Sequence, residues 1–268
     1  MHTNNIKLAL VQADLLWQNT KGNLAKFDNL LFGISDDTDI VILPEMFATA
    51  FTMQVDKLEK PVGRLALDWL ISKAKNLNKV LLGSLLFEEK NKYYNRMFWV
   101  NSDGSFHFYD KRHLFRMGNE EEVMTAGKDR VIVPFRGTNF MLQVCYDLRF
   151  PVFVKNNFDS KTKTHDYDVI VYIANWPEIR KKAYNRLLKA RAIENQAYVV
   201  WVNRVGKDDS GIVHSGDSQL IDPLGNILNQ LSAHQENILY ANLDLDKLQE
   251  IRKSFEVGLD WDNFNVRP

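Results

Sequence analysis

Short apolar runs that alternate with helix-like segments constrain the fold of this sequence more than any other feature. The runs IKLALVQ (6–12), IVILPE (40–45) and DVIVYIANW (168–176) carry apolar side chains at both odd and even positions. A strand that is apolar on both parities needs cover on both of its faces. Two sheets packed face to face, with helices outside them, provide that cover. The sequence therefore predicts an α/β fold built on two stacked sheets.

Helices and strands are predicted along most of the chain, without a linker between them, so we expect one domain over residues 1–268. The longest predicted helix spans 178–196. Its expected apolar side holds Ile179, Ala183, Leu187, Ala190 and Ile193. Residues 247–268, which include Trp261 and Phe264, are expected to form a tail docked against the protein, in one interpretation against a second subunit. The other predicted helices span 23–34 and 63–77, and further strands span 79–89, 93–100, 105–111, 130–147 and 197–205.

Charge and cysteine content exclude several classes of protein. Lys and Arg number 34, as do Asp and Glu, so the formal net charge is zero and no nucleic-acid or polybasic membrane partner is expected. No apolar run is long enough to span a bilayer and MHTNNIKLALVQ does not resemble a signal peptide, so we expect a cytoplasmic protein. With one cysteine and no histidine ligand spacing, neither a disulfide nor a metal or organic cofactor is expected. A net charge near zero is compatible with a homo-oligomer.

Three residues that could take part in catalysis follow apolar strands. Glu45 and Lys111 each come after a predicted strand, and Cys145, the only thiol, ends another within VCYDLRFP (144–151). Taken one at a time, these residues are compatible with a loop glutamate, a solvated lysine and an inert core cysteine. Together at strand ends they indicate a nucleophile with a base and a cation. A sharp turn after Cys145 would place the Tyr146 backbone N–H beside the sulfur, ready to bind an oxyanion.

Several segments together resemble the nitrilase superfamily, the carbon–nitrogen hydrolases. LPEMF (43–47), YDKRHLF (109–115) and VCYDLRFP are similar to the family's glutamate, lysine and nucleophile segments, in that order. Combined, LPEMF, DKRHLFRM and CYDLRFPV are similar to the ω-amidase branch of YafV-like proteins. Further landmarks extend the resemblance from residue 6 to about residue 245, and these are IANWP (173–177), KARAIENQAYVV (189–200) and DPLGNIL (222–228).

The resemblance implies a four-layer α-β-β-α sandwich, a homodimer or higher homo-oligomer, and hydrolysis of the terminal amide of 2-oxo acids such as 2-oxoglutaramate. It implies that Cys145 is the nucleophile and Glu45 the general base. Lys111 and the Tyr146 N–H would stabilise the oxyanion. A second glutamate lies upstream of a small-residue-plus-Gly turn in the family. When this sequence is aligned on that turn, the corresponding glutamate is Glu120, with Glu121 and Glu122 as adjacent alternatives.

Other residues are candidates for binding the substrate or for structural roles. A 2-oxo carboxylate needs a cationic or multi-donor pocket, for which Arg116 is one candidate and Arg149 another. For Arg149 we favour a structural ion pair with Asp147 or a nearby carboxylate. Trp176 is a candidate pocket wall, with core packing as the alternative. His113 and His214 are expected to be hydrogen-bonded structural residues, and Arg191 and Glu194 to form an i, i+3 pair.

Two alternatives to an ω-amidase remain. The glutamate, lysine and cysteine are common to all carbon–nitrogen hydrolases, so a nitrilase, an N-carbamoyl amidase or a general aliphatic amidase is also compatible with these residues. A non-catalytic relative that keeps the fold for binding is the second alternative. The presence of all three residues disfavours it.

Overall fold

The computed structural model describes residues 5–262, which form two six-stranded sheets, two small sheets and six α-helices. The helices are α1 (Thr20–Leu30), α2 (Arg64–Leu77), α3 (Glu120–Val123), α4 (Pro151–Val154), α5 (Lys181–Asn195) and α6 (Leu245–Ser254). The strands are β1 (Asn5–Gln12), β2 (Ile40–Ile42), β3 (Val80–Glu89), β4 (Lys92–Val100), β5 (Phe106–Asp110), β6 (Ile132–Phe135), β7 (Thr138–Val144), β8 (Phe158–Asp159), β9 (Thr164–His165), β10 (Val169–Ala174), β11 (Tyr198–Asn203), β12 (Val205–Lys207), β13 (Val213–Ser215), β14 (Gln219–Ile221), β15 (Ile227–Gln230) and β16 (Asn237–Asp244).

The two large sheets share a plan in which parallel strands occupy the centre. The first has the order β16-β1-β2-β3-β4-β5 and the second the order β15-β14-β11-β10-β7-β6. Strands β1, β2 and β3 pair in parallel, as do β7, β10 and β11. The carboxyl ends of parallel strands meet at one edge of a sheet, which is where α/β folds present functional side chains.

Side chains on both faces of the central strands are buried. One face of each sheet packs against the other sheet and the opposite face packs against helices, so the fold has four layers. Leu8 and Leu10 of β1 join the core between the sheets, where Trp99 of β4 meets Phe140 of β7 with ring centroids 5.1 Å apart. The alternate residues of β1 pack with α1 and α2 on the outer face of the first sheet. On the outer face of the second sheet, Tyr184 of α5 stacks on Trp201 of β11 at 5.0 Å. The predicted α/β, α-β-β-α sandwich is confirmed.

The buried side of α5 is only partly the predicted one, because Ala183 and Leu187 pack against the core but Ile179 and Ile193 are exposed. Ile179 is 88% exposed and Ile193 53% exposed, while Tyr184, Leu188, Arg191, Ala192 and Asn195 are buried. The polar members of that buried set are satisfied, since the Arg191 guanidinium donates to the Leu148 carbonyl at 2.8 Å and the Asn195 side chain accepts from the Asn156 N–H. Long polar side chains can bury their stems where such partners exist, which a count of apolar positions does not register.

The segment after β16 was predicted only as a docked tail, but it begins with a helix, α6. The Asp244 side chain caps this helix by accepting from the Lys247 N–H at 2.9 Å. Trp261 packs within the same chain, with the Lys155 ammonium 3.6 Å from its ring centroid and His165 at 5.6 Å. Phe264 lies outside the described residues. Among residues 5–262, no helix is both long and apolar enough to cross a bilayer.

Candidate active site

The three strand-end residues singled out in the sequence come together at one edge of the two sheets. Glu45 follows β2, Lys111 follows β5 and Cys145 follows β7. The Lys111 Nζ lies 2.9 Å from Glu45 Oε1, and both side chains are fully buried. The Cys145 thiol lies close enough to the Glu45 carboxylate for the Glu45 charge to raise the pKa of the thiol. Glu45 therefore pairs with the cation and acts electrostatically on the thiol.

Glu120, the first residue of α3, completes the charged cluster. Its Oε2 lies 2.8 Å from Lys111 Nζ and accepts the Phe115 backbone N–H at 2.6 Å. Of the alternative glutamates, Glu121 pairs with Arg116 at 3.3 Å and Glu122 is exposed. Glu120, the glutamate that the family resemblance selected, is therefore the one of the three whose carboxylate contacts Lys111.

Two asparagines that sequence reasoning missed hold these carboxylates in place. The Asn95 amide in β4 donates to Glu45 Oε1 at 2.8 Å and to Glu120 Oε1 at 3.0 Å. The Asn175 backbone N–H, just after β10, donates to Glu45 Oε2 at 2.7 Å, and its side-chain amide donates to the Glu45 carbonyl. The available signal was Asn95 itself, because an amide that is buried within a strand must find a partner.

Cys145 sits on a turn that presents its side chain to a cavity. Its φ of +45° is left-handed, a strained region for a residue with a Cβ. The buried Asp147 carboxylate fixes this turn by accepting from the Val144 N–H at 3.0 Å and the Tyr109 hydroxyl at 2.8 Å. It also contacts the His113 Nδ1 at 2.7 Å.

Burial and charge set the protonation of the cluster. Burial raises the pKa of the Cys145 thiol well above its usual range, and the Glu45 carboxylate raises it further. Burial alone would lower the pKa of Lys111, but the charges of Glu120 and Glu45 outweigh it and raise that pKa. Burial also raises the pKa of Glu120, which Lys111 only partly offsets. The resting site therefore holds a thiol beside a protonated lysine.

The predicted ion pair between Arg149 and Asp147 is wrong. Asp147 is saturated by the bonds that fix the cysteine turn, while the Arg149 guanidinium lies 5.0 Å from the Trp176 ring centroid. The two histidines are hydrogen-bonded as expected. His113 bonds to Asp147, and the His214 Nδ1 lies 3.2 Å from the Ile212 carbonyl. The i, i+3 pair of Arg191 and Glu194 is present at 2.9 Å.

A cavity of about 520 Å³ opens over the thiol. Arg116, a candidate from sequence, does not line the cavity, since its side chain is 81% exposed and pairs with Glu121. Within residues 5–262, no group of three or more His, Cys, Asp or Glu side chains is arranged to hold a metal ion. The cavity lining includes Lys111, Cys145, Tyr146, Trp176, Arg149 and Arg180.

The sequence is similar to those of known proteins over nearly the whole chain. Residues 7–253 match the family model described as carbon-nitrogen hydrolase. The chain is 42% identical to omega-amidase YafV of Escherichia coli strain K12, with 97% of this chain and 98% of that protein covered. It is 30% identical to the 2-oxoglutaramate amidase of Bacillus subtilis, with 93% and 95% covered.

Solved structures agree with the sequence relatives. A CN-hydrolase superfamily protein of Xanthomonas campestris, which carries an arsenic adduct in its active site, matches with a TM-score of 0.94 at 38% identity over all of both chains. Nit3 of Saccharomyces cerevisiae, a member of the nitrilase superfamily, matches with a TM-score of 0.79 at 25% identity over 94% of each chain. The family model spans β1 to α6, and the relatives match over nearly the whole chain, so the chain belongs to the carbon-nitrogen hydrolase family.

Proposed function

We propose that this chain is an ω-amidase that hydrolyses the terminal amide of 2-oxo acids such as 2-oxoglutaramate, and that it acts as one catalytic domain. The observation that carries the proposal is the Cys145 thiol, which lines a cavity together with the Lys111 ammonium, itself paired with the Glu45 carboxylate. The relatives named omega-amidase and 2-oxoglutaramate amidase support the choice of substrate.

Glu45 acts as the general base in the first half of the reaction. As the sulfur of Cys145 attacks the amide carbon, the thiol proton passes to Glu45, so a free thiolate need not accumulate. The carbonyl oxygen becomes an oxyanion, stabilised by the Lys111 ammonium and the Tyr146 N–H, each good donor contributing about 3 kcal/mol. Glu45 then protonates the leaving nitrogen, ammonia departs and a thioester remains on Cys145.

Water completes the reaction by the reverse path. Glu45 takes a proton from the attacking water, and Glu120 positions that water through the Lys111 cluster. The second oxyanion collapses to the free acid, and the proton on Glu45 returns to the sulfur. The buried Glu120 is held by Asn95, Lys111 and the Phe115 N–H, so it has little freedom to exchange roles with Glu45.

Parallel turnover of 2-oxoglutaramate, glutamine, a simple nitrile and an N-carbamoyl amino acid tests the proposed substrate. We expect 2-oxoglutaramate to release ammonia with the highest kcat/KM. Preference for the nitrile or the carbamoyl compound would assign a different carbon–nitrogen hydrolase. Turnover of none of the four, nor of a simple aliphatic amide, would favour a non-catalytic binding relative.

Glu45→Gln is expected to affect hydrolysis and thiol ionisation in opposite directions. Loss of the base should lower kcat for 2-oxoglutaramate by about 10²- to 10⁴-fold. Because the Glu45 charge raises the pKa of Cys145, the variant should reach half-maximal iodoacetamide labelling at a lower pH than wild type. Labelling rates from pH 6 to 10 measure this, and a shift to higher pH would contradict the role of Glu45.

We also propose that the enzyme is cytoplasmic and forms a homodimer or higher homo-oligomer. Support comes from the zero formal net charge and from apolar side chains exposed on α5 and the neighbouring β14–β15 turn. Ile193 and Leu224 are each more than half exposed. Sedimentation equilibrium measures the assembly directly, and a mass equal to one 31.1 kDa chain at all concentrations would exclude it.

A further inference from the structure

Two arginines of the active-site cavity have no acidic partner in the described part of the chain. Arg149, which follows the cysteine turn, and Arg180, just before α5, both line the cavity. Neither makes an ion pair or a side-chain hydrogen bond with another described residue. Each guanidinium instead lies over an aromatic ring of the lining, Arg149 at 5.0 Å from the Trp176 centroid and Arg180 at 5.2 Å from that of Phe115.

The other charged groups of the cavity are already occupied. Lys111 is held between two carboxylates, and the buried Arg204 pairs with Asp14 at 2.8 Å. Asp208, the one carboxylate in the lining, accepts the backbone N–H groups of its own turn, from Ser210 and Ile212, at 2.9 Å each. Among the charged groups that line the cavity, the guanidinium groups of Arg149 and Arg180 are therefore the ones without a hydrogen-bonded or ion-paired partner among residues 5–262.

The two arginines and the sulfur lie within electrostatic reach of one another. Burial lowers the pKa of Arg180, a negative charge on Cys145 would raise it, and the positive charge of Arg149 lowers it. Two cations without an anion between them repel each other at a partly desolvated site. A bound anion would offset that repulsion and would accept hydrogen bonds from both guanidinium groups.

We propose that Arg149 and Arg180 together bind the carboxylate at the far end of the substrate and so make the enzyme selective for anionic over neutral amides. The identification of that group as a 2-oxo carboxylate rests on the proposed function. A guanidinium binds a carboxylate through two parallel N–H donors, and stacking on an aromatic ring orients the plane of the fork in advance. Cys145 and Lys111 remain free to act on the amide end.

The first test compares kcat/KM for 2-oxoglutaramate with that for pentanamide, an amide of the same chain length without the carboxylate. Arg149→Gln and Arg180→Gln should each lower the ratio of the two values by about 10- to 100-fold, the effect of losing a charge-assisted bidentate bond. Arg149→Lys and Arg180→Lys keep the charge but lose the fork, so they should recover only part of the ratio.

Two further variants serve as controls. Arg136→Gln removes an exposed arginine that pairs with Asp39 away from the cavity, and it should leave the ratio unchanged. Arg116→Gln tests the rival candidate. A selective fall in Arg116→Gln, with none in the Arg149 and Arg180 variants, would overturn the proposal. An equal loss on both substrates would overturn it too, because it would indicate damage to the cavity.

A second measurement separates this proposal from the proposed function, because it requires no turnover. Bound 2-oxoglutarate should protect Cys145 of wild type from iodoacetamide, and the protecting concentration should rise at least about tenfold in Arg149→Gln and Arg180→Gln. One outcome is that wild type fails to hydrolyse 2-oxoglutaramate and is still protected by 2-oxoglutarate, with weaker protection in the two Gln variants. In that case the proposed substrate is wrong and the arginine site is supported. Protection that is absent in wild type or unaltered in both variants overturns the arginine site.

Discussion

Cys145→Ala is expected to lower kcat/KM for 2-oxoglutaramate by at least about 10⁴-fold, because no other residue in the cavity can form the thioester. Glu45, Lys111 and Glu120 remain in the variant, so binding and oxyanion stabilisation alone would set any residual rate. Ammonia release by purified wild type and variant measures the loss. Mass spectrometry of wild type quenched during turnover should show an acyl adduct on the peptide that contains Cys145.

The same substitution should leave the fold intact, and the backbone at position 145 provides a matched comparison. Ala and Cys share the cost of a φ of +45°, whereas Gly does not. Cys145→Gly should therefore be at least as stable as Cys145→Ala in urea unfolding, although Gly at an ordinary position loses about 0.5–1 kcal/mol relative to Ala. Equal inactivity of both variants with intact folding assigns the loss to the thiol. Substantial hydrolysis by either one would exclude Cys145 as the nucleophile.

The grouping of Glu45, Lys111 and Cys145 could be predicted because each residue closely follows a strand, and the end of a strand fixes where the next residues lie. Glu45 and Cys145 follow parallel strands, whose carboxyl ends meet at one edge of a sheet. Lys111 follows the second strand of the β4–β5 hairpin, which runs in the same direction as β3 and ends at that edge. Glu120 is different, since it begins a four-residue helix in a loop region. Only the resemblance to the carbon–nitrogen hydrolases singled it out, and only the fold separates it from Glu121 and Glu122.

Residues whose role depends on side-chain direction could not be read from the sequence. Arg149 stands two positions from Asp147, and sequence proximity made an ion pair the natural interpretation. The turn at Cys145 instead directs the Asp147 carboxylate back to the backbone of β7 and leaves the guanidinium over Trp176. Arg180 had no sequence signal, because an arginine at the start of a helix is ordinarily solvated.

Lys111→Met is expected to be the most destabilising single change in the site. The ammonium lies between Glu45 at 2.9 Å and Glu120 at 2.8 Å, with all three side chains fully buried. Its removal leaves two carboxylates out of water without a cation, and breaking such a buried pair costs about 3–5 kcal/mol. Hydrolysis should be lost as well, because the oxyanion loses its charged donor.

A buried lysine elsewhere in the chain separates the loss of charge from the loss of packing. The Lys79 ammonium donates to the carbonyls of Asp36 and Thr38 at 2.9 and 2.8 Å and contacts no carboxylate. Lys79→Met should therefore cost less, about 1–3 kcal/mol for unpaired carbonyl groups. If Lys111→Met costs no more than Lys79→Met at pH 8, the cluster does not depend on its cation.

The pH dependence of Lys111→Met follows from the carboxylates left behind. Burial already raises the pKa of Glu120, and loss of the lysine removes the charge that opposes this rise. A carboxyl whose pKa is higher in the folded than in the unfolded state stabilises the fold when protonated, and this contribution fades as the pH rises through the folded-state pKa. The difference in unfolding free energy between wild type and Lys111→Met should therefore shrink when urea unfolding is measured at pH 5.5 instead of pH 8. Adding Glu120→Gln to Lys111→Met should recover part of the lost stability at pH 8, since one buried charge is removed. A penalty that is independent of pH and unaffected by Glu120→Gln would mean that lost packing, and not uncompensated charge, destabilises the variant.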